Sequence, residues 1–217
     1  MKSFTIKQNE CLNQDIQGYY HTDYVAYENR DEVDNYPIYL LTLKNDLDRR
    51  WWLSKLEDAQ NKLLKILLKE LPKILEKSKL SQLTVCVVPR AKADKTYRQD
   101  QLLFKATVKD AVNQLDDNFK DGTNFIIRHK NTKTTHLRKP VDGFINDGPE
   151  PYLGISEETC NFSNNIKGLD ILLIDDIYTK DVNIDEDIIQ ALINCGANSV
   201  TFYSVGKTIN QEPVFTM

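Results

Sequence analysis

Two adjacent carboxylates, Asp175 and Asp176, follow directly on an unbroken apolar run, Ile171-Leu172-Leu173-Ile174, and lead into a short polar turn, Tyr178 to Val182. The run has the length and β-branched content of a strand buried on both faces. Paired carboxylates repel an anion, but they accept hydrogen bonds from vicinal hydroxyls such as those of a ribose. The turn beside them feeds a helix N-terminus, where unpaired N–H groups and the positive dipole end suit a phosphate. A diol acceptor next to a phosphate pocket points to a ribose 5-phosphate group.

The elements that must hold these residues are legible on either side. Asn183 can cap the following helix, with Glu186 three residues on as in a capping box. Ile184, Ile188, Ile189, Leu192 and Ile193 give that helix an apolar face, and Gly196 closes it as a C′ residue. Ser199 to Val205 reads as the next strand. Strand, acidic turn, helix and strand make a βαβ unit, in which ligands bind beyond the carboxyl ends of the strands. Two other readings exist. Phospho-receiver domains also carry an acidic pair after a buried strand, but they need a further acidic strand end downstream, and little chain remains here. Alternatively, the carboxylates are solvent-exposed caps of the strand.

The stretch resembles the binding motif of type I phosphoribosyltransferases: apolar residues, an acidic pair, two further residues and a Thr-containing loop. Those enzymes use phosphoribosyl pyrophosphate, PRPP. The resemblance implies that Asp175 and Asp176 hold the ribose hydroxyls. It implies that the loop opened by Tyr178, with Thr179, Lys180, Asp181, Val182 and Asn183, wraps the 5-phosphate. The loop departs from the family's Thr-Thr-Gly-x-Thr: Asp181 stands where a glycine lets the backbone approach phosphate, and Asn183 replaces the last Thr. Mg²⁺ is the implied cofactor, bridging pyrophosphate and ribose oxygens rather than sitting in a protein cage.

Upstream, Leu83 to Val88 reads as a core strand ended by Pro89-Arg90-Ala91-Lys92. Phosphoribosyltransferases place their pyrophosphate loop here, which makes Arg90 and Lys92 candidates for stabilising the leaving group. An ordinary basic loop is the other reading. A helix is expected over 101–115, with Tyr97 and Arg98 before it as lid residues, and a strand over Asn124 to Ile127. Five Lys/Arg and two His then fall within residues 128–139. This segment reads either as a charged flap, with Arg128 and Lys133 adding charge at the leaving group, or as a nucleic-acid contact. The order of elements, and the Arg-then-Thr-rich segment, are similar to ComF-like and amidophosphoribosyltransferase-like members of the family. Val141 to Lys167 reads as a long irregular insertion near the site.

Residues 1–45 read as a β-rich extension or hood, with strands over Tyr19 to Tyr27 and Ile38 to Leu43. The tyrosine cluster there is either core or a binding surface. Apolar residues at three- and four-residue steps predict a long helix over 48–77, kinked or split at Pro72. Its second apolar set, Leu64, Leu68 and Leu75, widens the stripe toward either the core or a homodimer contact. The resemblance implies that residues 46–217 form a phosphoribosyltransferase-like α/β domain. The expected fold class is α/β, a twisted, mainly parallel sheet flanked by helices, with an N-terminal β-hairpin and a long helix.

With 217 residues, 41% hydrophobic and 28% charged, the chain can bury a full core. A net charge of −4 gives no general nucleic-acid surface. Cys11, Cys86, Cys160 and Cys195 show no metal or redox spacing and are expected as buried thiols. No apolar signal region or membrane span is evident, so a cytoplasmic location is expected. Two functions follow. One is Mg²⁺-dependent transfer of phosphoribosyl from PRPP to a nitrogen acceptor with pyrophosphate release. The other is a noncatalytic module that senses PRPP or a nucleotide for a nucleic-acid-handling partner protein.

Overall fold

A computed structural model describes residues 1–25, 27–32, 36–47, 49–135, 144–180 and 182–209. Its centre is a six-stranded sheet in the order β1-β2-β8-β7-β3-β4. The strands are β1 (Lys2–Ile6), β2 (Ile16–Tyr24), β3 (Leu83–Val87), β4 (Phe119–Asp121), β7 (Asp170–Tyr178) and β8 (Ser199–Thr208). Only the β1–β2 pairing in this sheet is antiparallel. A second, two-stranded sheet pairs β5 (Ile126–Arg128) with β6 (Cys160–Phe162). The fold is therefore mixed α/β with a mostly parallel central sheet.

Helices cover both faces. On one side α1 (Ile38–Lys44), α2 (Leu53–Ser78) and α3 (Leu103–Gln114) pack on Val85, Val87, Leu172, Ile174, Tyr203 and Val205. On the other, α5 (Ile184–Asn194) and the small sheet pack on Cys86, Ile171, Leu173, Val200 and Phe202. A short helix, α4 (Ile155–Thr159), precedes β6. Strand side chains alternate between faces, so β7 feeds both layers and is buried from Ile171 to Ile174. The β7–α5–β8 crossover is the βαβ unit expected from the acidic stretch.

Several expectations are corrected. Ile38 to Leu43 is helix, not strand: Leu40 and Leu43, one turn apart, are fully buried, whereas Ile38 is exposed. A short apolar run does not by itself separate the two periods. The N-terminal hairpin is instead β1–β2, and β2 joins the central sheet through β8. Residues 1–45 thus supply strands of the main sheet as well as α1. The acidic pair is not in a turn; β7 continues through it to Tyr178. The strand expected at 124–127 is β5 and lies outside the central sheet, where the neighbour of β3 is β4. The insertion carries α4 and β6. Pro72 does not split α2: it lies on the exposed side, while Leu71 and Ile74 anchor the helix in the core. Leu64, Leu68 and Leu75 pack against the same core.

The tyrosine cluster follows the core reading. Tyr19 is buried, and Tyr20 meets Phe4 edge to face at 5.7 Å. All four cysteines are free thiols, and burial pushes Cys86 up to about 12. Among the described residues, no helix is long and apolar enough to cross a membrane.

Candidate functional site

A cleft of about 700 Å³ opens beyond the carboxyl ends of β3 and β7, lined by Asp175, Asp176, Thr179, Val182, Arg90 and Lys44 among others. The alternation of β7 explains how its acids are shared out. Ile171 and Leu173 face the α5 layer, and Leu172 and Ile174 face the α1–α3 layer. Asp175 continues the first series and meets Asp185 in the first turn of α5. Asp176 continues the second and meets Lys44 at the end of α1, 3.0 Å from Nζ to Oδ2 and 3.2 Å to Oδ1. Beyond this point the alternation slips: Ile177 packs with the α1–α3 layer and Tyr178 with the α5 layer.

The electrostatics follow from that geometry. Burial and the neighbouring charge of Asp176 push the Asp175 carboxyl up to about 7, with Lys44 pulling the other way. Burial raises Asp185 well above the ordinary range, helped by Asp175 and Glu186, and one of its oxygens, Oδ1, is buried without a hydrogen-bond partner. The two buried carboxyls lie close enough to act on each other, which favours a proton on one of them. Burial would strip the proton from Lys44, but the charges of Asp176, Asp46 and Asp175 outweigh it and raise its pKa. The cleft is acidic with an ammonium fixed inside it.

The loop after β7 divides. Thr179 lines the cleft, and its hydroxyl is 2.9 Å from that of Thr208. Val182 also lines it, with its N–H on Thr179 O at 3.4 Å. Tyr178 does not: its ring packs among Phe4 and Phe202, and its hydroxyl donates to Glu186 Oε1 at 2.8 Å. Lys180 is exposed and not part of the lining. Asn183, with φ +61°, caps nothing with its side chain, which accepts from Asn9 Nδ2 at 3.0 Å. The expected capping box is thus absent, because Glu186 is drawn to Tyr178 instead. Asp181 lies outside the described residues, as do His136, Leu137, Arg138 and Lys139 of the basic segment.

The basic candidates are each engaged by protein groups. Arg90 lines the cleft, pairs with Asp46 at 2.5 Å, donates to Gln101 O and stacks 4.1 Å from the Tyr97 ring. Lys92 is buried away from the lining; its ammonium ties Thr132 O (2.9 Å) to Asp147 O (2.6 Å) and Oδ1 (2.8 Å). Arg128 reaches the cleft wall but donates to Arg90 O and Thr159 Oγ1. Lys133 pairs with Glu150 at 2.8 Å on the rim. Two N–H groups of the Pro89–Lys92 turn region are also taken: Lys92 N by Tyr97 and Ala93 N by Asn131. Tyr97 and Arg98 are pinned, Arg98 by Asp100 at 2.8 Å. The structure brings Asp175, Asp176, Thr179, Val182, Arg90, Arg128 and Lys133 to one cleft. It leaves out Lys92, Tyr178, Lys180 and Asn183.

No protein-family model and no curated protein matches the chain.

Sequence reasoning missed Lys44, Asp46 and Asp185. Lys44 fell just past a segment expected as strand, and its partner is 132 positions away. Asp185 had one local signal: with Glu186 and Asp187 it makes three successive acids, all buried here. Asp187 accepts from Gly154 N and Ser156 N, Glu186 from Tyr178, and Asp185 faces the cleft.

A magnesium ion does not fit as a resident group. The acidic pair already faces the Lys44 ammonium, and no three His, Cys, Asp or Glu among the described residues are arranged to hold a metal.

Proposed function

We propose that the cleft binds a phosphoribosyl ligand and that the chain transfers the phosphoribosyl group from PRPP to a nitrogen acceptor with release of pyrophosphate. One observation carries the reading: Asp175, Asp176, Thr179 and Val182 converge on a single cleft at the carboxyl end of a parallel β-strand, where α/β folds bind ligands. The volume of about 700 Å³ suits a ligand of nucleotide size. Asp175 and Asp176 would accept from the ribose hydroxyls. Thr179 and the start of α5 would meet the 5-phosphate. Arg90 is the cation nearest the role of leaving-group stabiliser, provided substrate competes with Asp46 for it.

The engagement of Arg90, Lys92, Arg128 and Lys133 by protein oxygens favours a second reading, binding without transfer. In that reading the chain senses PRPP or a nucleotide for a nucleic-acid-handling partner.

Calorimetric titration with PRPP and with ribose 5-phosphate tests the site, and pyrophosphate release against a panel of nucleobases separates the two readings. Micromolar binding abolished by Asp175→Asn with Asp176→Asn, in a variant that keeps its circular dichroism, is expected. Unchanged binding in that variant would remove the ligand from the cleft.

A further inference from the structure

We propose that Lys44 is the built-in cation of the acidic pair, so that a sugar phosphate binds beside Asp175 and Asp176 without a divalent metal. This inference rests on the phosphoribosyl reading of the cleft and adds the charge that such a site needs.

An anionic ligand approaching adjacent carboxylates is repelled unless a positive charge lies among them. In this cleft that charge belongs to the chain. Lys44 Nζ spans both oxygens of Asp176, at 3.0 and 3.2 Å. Asp46, two residues on, and Asp175 act on the same ammonium. The charged groups facing it are therefore Asp175 and Asp176 from β7 and Asp46 from the turn after α1, with Asp185 of α5 behind Asp175. The Lys44 and Asp176 side chains are only 18% and 16% exposed, which limits screening by solvent.

The frame around Lys44 is rigid. It is the last residue of α1, which Leu40 and Leu43 anchor in the core. Asn45 follows in the left-handed conformation, with its side chain donating to Arg49 O at 2.8 Å and its carbonyl accepting from Gln101 at 3.1 Å. The ammonium is thus held against β7 before any ligand arrives. It pairs with one carboxylate, which keeps lone pairs for ligand hydroxyls. A divalent ion would need that carboxylate as a ligand, and Lys44 competes for both of its oxygens.

Titration of the full chain with ribose 5-phosphate, once in EDTA and once with magnesium, tests the inference. This probe lacks the diphosphate that would carry its own metal. Wild type is expected to bind equally in both buffers, within about twofold. Lys44→Gln should lose about tenfold or more in EDTA and recover most of it with magnesium, while Lys44→Arg keeps binding in EDTA. Recovery by metal is the response a merely structural lysine would not produce. Wild-type binding that requires magnesium, or Lys44→Gln binding like wild type in EDTA, would overturn the role of Lys44 and leave the phosphoribosyl site standing. Absence of binding in both buffers would overturn the site and this inference together. Should Lys44→Gln not fold, the wild-type comparison and Lys44→Arg still decide.

Discussion

Lys44 on α1 and Asp176 on β7, 132 positions apart, meet at 3.0 Å across the inner wall of the cleft. The pair is mostly shielded from water, so removing Lys44 strands Asp176 beside the like charge of Asp175, and removing Asp176 leaves Lys44 with only the weaker pull of Asp46 and Asp175. Lys44→Met should cost about 1–3 kcal/mol in urea unfolding, less than for a fully buried pair. In a double-mutant cycle with Asp176→Asn the two losses should not add, and the coupling should be about 1–2 kcal/mol. Strict additivity would mean that the pair is not held in solution.

The Asp175–Asp185 contact sets a pH dependence. Asp175 is raised from an ordinary 3.8 to about 7, so the folded state holds a proton that the unfolded chain releases. Its contribution is fully present below pH 3.8 and is lost as pH rises toward 7. Asp185 is shifted in the same direction. Asp185→Asn, which keeps a donor for Asp175 and removes a buried acid, should raise stability at pH 8 by about 1–2 kcal/mol and flatten the slope between pH 4 and 7. Chemical denaturation across that range is the measurement; a steeper slope in the variant would contradict the raised pKa of the two carboxyls.

Glu70 makes the opposite demand. It is buried within α2 and accepts from Tyr203 Oη at 2.8 Å, with His21 Nδ1 also at 2.8 Å. Burial alone would raise its pKa, but these hydrogen bonds and the His21 charge lower it below the ordinary 4.5. A lowered carboxylate stabilises the fold above its unfolded value, and that stability is lost as pH falls through the folded value. Glu70→Leu should cost about 2–4 kcal/mol at pH 7, because it leaves Tyr203 without its buried acceptor, and Tyr203→Phe about 1–2 kcal/mol. The Glu70→Leu loss should shrink at pH 4.

Lys92 is a structural clasp between the 130s and the segment around Asp147. Lys92→Met removes three hydrogen bonds to Thr132 and Asp147, so it should lower stability by about 2–3 kcal/mol and speed proteolysis near residue 147. Gly148→Ala should act alike: φ is +97°, and a Cβ would stand 2.5 Å from Asn131 O. Lys92→Met with wild-type stability and impaired turnover would return Lys92 to the chemistry.

The sequence alone determined the elements whose apolar pattern is local and long enough to be unambiguous. These are the strand at Leu83, the two helices α2 and α3, and the β7–α5–β8 crossover with its acids at the strand end. Strand alternation even implies that Asp175 and Asp176 face opposite layers. What waits in those layers was decided only by the tertiary structure. Ile38 to Leu43 is helical because α1 buries Leu40 and Leu43, a choice a six-residue apolar run does not encode. Which carboxylate neutralises which cation is also a matter of proximity between distant segments: Lys44 with Asp176, Arg90 with Asp46, Lys92 with Asp147. Charge type is written in the chain, but the field that shifts a pKa depends on distance and burial, and only the folded packing supplies them.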